Sequence, residues 1–159
     1  MSSDYFVKMT KAEGESKKEG HDKEIEVLSW AWGLSNASSA GQGGGAGQGK
    51  AVPEALQFVH NLDKASPVIQ SFCAKGTHID ELKLTARKAG DGQQDYMTIT
   101  LTGAFIIAVH TGGSGGGDVT ETVRCSFHKQ KTEYKIQDDK GKLSSGPEWT
   151  WDVEKTKIS

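Results

Sequence analysis

The sequence predicts a mainly β domain, a β-sandwich or flattened barrel of about seven strands with one helix on its side or end. Three observations carry that reading. Short apolar runs alternate with polar residues at a period of two, as they do on a strand with one buried face. Clusters of Gly, Asp, Asn and Ser punctuate those runs. A single stretch has helical spacing. A chain of 159 residues suits one domain, 1–159, with one core.

In chain order, Tyr5–Met9 is a short strand with apolar residues on both sides, and Lys11–Lys23 is a polar, solvated loop. Next, Leu28, Trp30 and Trp32 share one parity and Ser29 and Ala31 the other. The first set asks for a core, and the small second set suits a surface that stays smooth or comes close to something else. The composition then shifts to SNASSAGQGGGAGQG, which has too little apolar area to offset its ordering entropy and is expected to be mobile in the isolated protein. The Gly-rich loop as a whole spans 35–53. Leu56, Phe58, His60 and Leu62 form the next apolar face. Ser66 as N-cap, Pro67 at the first helical position, the stripe Val68, Ile69, Phe72 and Cys73, and Gly76 as terminator define the helix.

Leu82, Leu84 and Ala86, a Gly/Asp turn over Ala89–Gln94, and Met97, Ile99 and Leu101 read as a hairpin. Ala104–Val109 is apolar on both faces, so it is covered twice or lies in a subunit interface. After the loop Thr111–Gly117, Val119, Val123, Cys125 and Phe127 alternate with polar residues. The parity then switches to Tyr134 and Ile136, which predicts a bulge or bend near Lys129–Lys131. A turn at Gly146–Pro147 precedes a last strand with Trp149, Trp151 and Val153 on one face.

A net charge of −2 argues against nucleic acid as a partner. No run approaches the ~20 apolar residues of a membrane span, so no membrane insertion is expected. The N-terminus has no apolar run after a basic start, which points to folding in the cytosol and any export by a route that reads no signal peptide. Cys73 and Cys125 are expected to be reduced and buried.

Few residues offer chemistry, and most fail on geometry. Gly44–Ala51 comes close to a phosphate-binding loop, but Ala51 replaces the hydroxyl residue and a strand replaces the helix that should follow. Cys125 and His128, three apart on a strand, point to opposite faces, and no second cluster supplies further metal ligands. The five histidines, at 21, 60, 78, 110 and 128, lie in separate segments without a nucleophile elbow. Asp138–Asp139 and Asp80–Glu81 read as solvated surface charge. No catalytic, metal or cofactor site is predicted, although a small β-sandwich binding module or a hydrolase with dispersed residues stays open at this point.

A resemblance narrows the choice. Gly14-Glu15-Ser16-Lys17, Gly20-His21, Ile25 to Gly33 (IEVLSWAWG), Asp63 to Pro67 (DKASP), Leu84 to Gly90 (LTARKAG) and Thr111 to Gly116 (TGGSGG) follow in family order over nearly the whole chain. In these motifs the sequence closely resembles the haemolysin-coregulated protein family, Hcp, the tube subunit of the bacterial type VI secretion system. The resemblance implies a two-sheet β-barrel with one helix, like phage tail tube proteins. It also implies a homo-hexameric ring, rings stacked into a tube driven out by a contractile sheath and tipped by a spike trimer, and effector proteins carried in the channel. Applied to this chain, it makes Ser29 and Ala31 the lumen-facing residues. It gives the stacking contact to Ser38, Gly41, Gln42, Gly43, Gly44, Gly45, Gly47, Gln48 and Lys50, and makes Phe105, Ile106, Ile107 and Val109 candidates for the contact within a ring.

Overall fold

A computed structural model of the chain describes residues 2–37, 51–89 and 92–159. The strands are β1 (Ser3–Met9), β2 (Ile25–Val27), β3 (Ser29–Ala31), β4 (Leu34–Asn36), β5 (Ala51–Pro53) and β6 (Leu56–Asn61). Helix α1 (Ser66–Lys75) leads to β7 (Ile79–Lys88), β8 (Asp95–Gly112), β9 (Thr120–Gln137), β10 (Leu143–Asp152) and β11 (Lys157–Ile158). All strand pairs are antiparallel, and they form two sheets.

The large sheet runs in the order β11-β10-β9-β8-β7-β1-β2, with β6 also on β9 and β3 on β6. One edge of β9 is divided: residues 120–125 pair with β6 and residues 129–137 with β10. The sheet closes because the tryptophan segment changes partner. β2 lies on β1 and β3 on β6, and the chain bends between them at Leu28, whose N–H donates to Val59 O at 2.8 Å. The path β1-β7-β8-β9-β6-β3/β2-β1 is a barrel, which removes the free edges a flat sheet would leave. β4 and β5 form the second, two-stranded sheet, so Ser35, Asn36 and Ala51–Pro53 are ladder residues at the base of the Gly-rich segment.

The core follows the expected alternation over most of the chain. Val7, Ile25, Leu56, Phe58, Leu82 and Leu84 are fully enclosed. Ile69 seals the barrel from α1, with Val68, Phe72 and Cys73 packed beside it. Gly76 ends the helix in the left-handed region at φ 65°.

Several local expectations are corrected. Leu28 does not share the inward face of Trp30 and Trp32, because the bend reverses the parity: Ile25 and Val27 point in before it, the tryptophans after it, and Leu28 is exposed. The helix N-cap is Ala65 instead of Ser66, and the Asp63 carboxylate accepts from the Ala65 N–H while the Ser66 hydroxyl accepts from the Asp63 N–H. The 11–23 loop is pinned along one side: the N–H groups of Gly14 and Ser16 donate to Lys23 O and Glu24 O, and Ser16 and His21 are buried. β8 and β9 stay in register past Lys129–Lys131, and the inward set changes parity at Gly103, which sits at φ 63° against His128. Gly146–Pro147 form a bulge inside β10, not a turn before it. Leu62, Tyr134 and Ile136 are exposed.

Candidate functional site

The outward face of the barrel beside β3 is built by register. Ala31 lies opposite Gln57 on β6, Gln57 opposite Arg124 on β9, and Arg124 opposite Ala108 on β8. The next row is Ser29, Val59, Thr122 and His110. Directly paired residues point to the same face, so these two rows make one wall four strands wide. Ser29, Ala31, Arg124 and His110 are exposed and the other four are half-buried. Ser29, Ala31, Ala108 and Thr122 are small, Gln57, His110 and Arg124 are longer and polar, and Val59 is the one branched apolar residue of the wall.

Behind it, the tryptophans fix β3. Trp30 meets Tyr5 edge-on at 6.1 Å, and Trp32 lies 6.2 Å from Phe127 and 6.5 Å from Trp149 between ring centres. The indole N–H of Trp32 donates to Glu54 O at 3.0 Å, which holds the outward residues of β3 in place.

The segment 105–109 divides among three surroundings. The register shifts between Ile106 and Ala108, so a bulge at Ile107 turns both Ile106 and Val109 inward, opposite Cys125 and Val123. Ile106 belongs to the core, with Val109 half-buried against it. Phe105 lies edge-on between His78, at 5.3 Å, and His128, at 5.8 Å. Ile107 alone of the four is exposed, in a depression that it shares with Ala31, Trp32 and Arg124. The bulge is why the segment is apolar on both sides in sequence. The candidate stacking residues Ser38, Gly41 to Gly45, Gly47, Gln48 and Lys50 lie outside the described residues.

Two buried polar clusters escaped the sequence reading. His60 and Glu121 are both fully enclosed, with Nε2 2.9 Å from Oε1. The other Glu121 oxygen accepts from Gln70 on α1 at 2.9 Å and from Thr111 on β8 at 3.3 Å. Burial lowers the affinity of His60 for its proton, but the hydrogen bond to Glu121 and the charges of Glu121 and of Asp63, whose carboxylate lies 3.7 Å from Nδ1, outweigh it and raise the pKa above the usual histidine value. His21 stacks on Phe6 at 4.2 Å, between Glu24 at Nδ1 and Asp95 at Nε2. The signal for the first cluster was parity: His60 is in phase with Leu56 and Phe58, and Glu121 with Val123 and Cys125.

Of the cysteines, Cys125 is enclosed and burial pushes its thiol up to about 12, while Cys73 is only half-buried, against expectation. Among the described residues, no group of three or more His, Cys, Asp or Glu side chains is arranged to hold a metal ion. His60 and Glu121 are enclosed and His21 is nearly so, which makes these clusters ties between elements of the barrel.

Comparison with known proteins decides what such a barrel is. A family model described as type VI secretion system effector, Hcp, matches residues 6–134, most of the chain. The chain belongs to the Hcp family. Protein hcp1 of Pseudomonas aeruginosa is 40% identical over 156 residues, covering 96% of each protein. Among solved structures, a type six secretion system protein superposes with a TM-score of 0.94 at 26% identity, over 99% of this chain and all of the other. Hcp1 from Salmonella typhimurium gives a TM-score of 0.83 at 34% identity over the full length of both chains. A type VI secretion system effector from Yersinia pestis gives 0.75 at 33%, over 94% of this chain and all of the other. The protein is a tube subunit of the type VI secretion system, with the mainly β, two-sheet, one-helix architecture of Hcp proteins. Hcp proteins are structural components that the type VI system secretes, and a binding module or hydrolase of another family is not favoured. Among the described residues, no helix is long and apolar enough to cross a membrane.

Proposed function

We propose that six copies close into a ring, that rings stack into the inner tube, and that the tube carries and chaperones effector proteins in its channel. The observation that carries this reading is the wall formed by the Ser29 and Ala31 rows. Four paired strands present a continuous surface on which the residues at positions 29, 31 and 108 are kept small, as a wall swept by passing cargo requires. Ser29 and Ala31 face the channel. The stacking contact between rings falls to the Gly-rich segment from Ser38 to Lys50, each contact weak until many rings add up. The strand at 105–109 contributes to the ring contact through Ile107, beside the channel wall.

The subunit works without a catalytic centre or cofactor, inserts into no membrane and takes no nucleic acid. Its partners are copies of itself, the spike trimer, the contractile sheath and effectors. It resides in the cytoplasm before firing and is then secreted by the type VI system. Native mass spectrometry and negative-stain imaging test the assembly: a six-fold ring is the expected result, and a stable monomer overturns it. Deleting Gly41–Gly49 should spare the ring and shorten the tubes, and tubes of normal length would count against the stacking role.

A further inference from the structure

Helix α1 is seated on the barrel by its side chains. The strands beneath it are ladder-bonded, β6 to β9 over Leu56–Asn61 and β8 to β9 as far as Gly112. Among the described residues, no backbone hydrogen bond joins α1 to a strand. Of its apolar side chains only Ile69 is fully enclosed, with Val68, Phe72 and Cys73 half-buried beside it. A cavity of about 510 Å³ runs along the seam where α1 meets β8, lined by Gln70, Cys73, Ala74, Val109 and Thr111.

One ionisable cluster holds this helix at two points. At its start, one oxygen of Asp63 accepts from the Ala65 N–H at 2.9 Å and the other lies 3.7 Å from Nδ1 of His60. In its second turn, Gln70 donates to Glu121 at 2.9 Å, on the oxygen that Thr111 also reaches, while the other Glu121 oxygen meets Nε2 of His60. Among the described residues, Nδ1 has no hydrogen-bond partner, and the charged groups facing the imidazole are two carboxylates, Glu121 from β9 and Asp63 from the loop before α1. α1 and β8 bring neutral groups to the cluster, Gln70 and Thr111, and Phe58 of β6 lies 5.7 Å from the imidazole between ring centres. Gln70 and Thr111 are exposed and Glu121 is enclosed, so the two donors stand between the buried carboxylate and solvent.

We propose that α1 is a lid latched by one proton: while the cluster of His60, Glu121 and Asp63 holds it, α1 stays seated, and its loss to solvent releases α1 along the β8 seam from a barrel that stays closed. With the proton in place, Glu121 has a buried counter-charge. Without it, an enclosed carboxylate keeps only Gln70 and Thr111, and a buried charge that has lost its partner is costly enough to draw water in. Water enters where the fewest hydrogen bonds must break, which is the seam of α1 and not the β6–β9 ladder. The raised pKa of His60 sets the direction: the proton is held through the ordinary value of 6.5, and release comes as pH rises through the folded value. The device needs one subunit, so it is independent of the ring and channel proposed above.

Hydrogen exchange read by mass spectrometry on the full chain tests it, from about pH 6 to about pH 9, with exchange times scaled to the intrinsic rate at each pH. Protection of α1 should fall about tenfold per pH unit once the folded value is passed, as loss of a single proton requires, while β6 and β9 keep theirs. The double variant His60→Gln with Glu121→Gln has no proton to lose there, and its α1 protection should be level with pH. Gln70→Ala cuts the helix's own tie and should lower α1 protection at every pH without changing the slope. Level α1 protection in wild type, or a slope in the double variant as steep as in wild type, would overturn the lid. So would loss of protection in β6 and β9 together with α1, since the proton would then hold the whole barrel. That comparison of α1 with the two strands is made on wild type, and it decides the matter if the double variant misfolds.

Discussion

Nε2 of His60 and Oε1 of Glu121 lie 2.9 Å apart with both residues fully enclosed, and the same carboxylate ties α1 and β8 to the pair. Four elements therefore meet at one carboxylate, whose counter-charge is His60 when the imidazole is protonated. Because the folded pKa of His60 is raised, the pair's stabilisation is fully present below the unfolded value of 6.5 and is lost as pH rises through the folded value. Thermal melts of wild type should fall as pH rises above 6.5 and through the folded value. Glu121→Gln removes one partner of a buried pair and should cost about 3–5 kcal/mol. It should also flatten the alkaline fall, since burial then acts on His60 with less opposition. A melting temperature that is level with pH in wild type would refute the charged pair.

How far this was legible in sequence depends on the kind of information. Burial parity is local, so Leu82, Leu84, Val123 and the helix stripe could be read directly. Partner changes are not local. Nothing in Ile25–Gly33 alone says that its first half pairs with β1 and its second half with β6, so the bend that expels Leu28 could not be placed. The bulge at Ile107 is similar: two-sided apolarity was visible, but the extra residue appears only against β9. The wall containing Ala31 needed three registers at once, of which sequence supplied one strand. Periodicity gave the β-sandwich or barrel with one helix, and the Hcp resemblance supplied the role, which no periodicity gives.

Gly103 is the position where β8 changes its inward set. It has φ 63°, and a Cβ there would stand 2.6 Å from Cδ2 of His128. Gly103→Ala combines a left-handed backbone, costing about 1–2 kcal/mol for a residue with a Cβ, with a clash against an imidazole that can rotate. Chemical denaturation should show a loss of about 1–3 kcal/mol. The double variant with His128→Ala should recover the clash but not the backbone strain. Full recovery would mean that the left-handed conformation is not required.

The two thiols should differ in reactivity. Cys125 is enclosed, and with its pKa pushed up to about 12 it carries almost no thiolate near neutral pH, whereas Cys73 is half-buried on α1. Timed alkylation followed by mass spectrometry should label Cys73 alone in the native protein and both cysteines in denaturant. Early label on Cys125 would show that β6 opens from β9, since Leu56 covers the opposing position on that ladder.

Ala31 is the most direct probe of the proposed channel wall. It shares a row with Gln57 and Arg124, so Ala31→Arg places a second guanidinium two strands from the first, about 10 Å away at ordinary strand spacing. The side chain points away from the core, so the barrel and the ring should persist, with a melting temperature close to wild type. Cargo would meet both bulk and doubled positive charge, and effector co-purified with the ring should fall by about tenfold, ~1.4 kcal/mol. Ala31→Ser preserves the size of the site and should retain cargo at the wild-type level. Loss of rings in Ala31→Arg would instead place this face in a subunit contact. Intact rings with an undiminished effector yield would remove Ala31 from the channel wall.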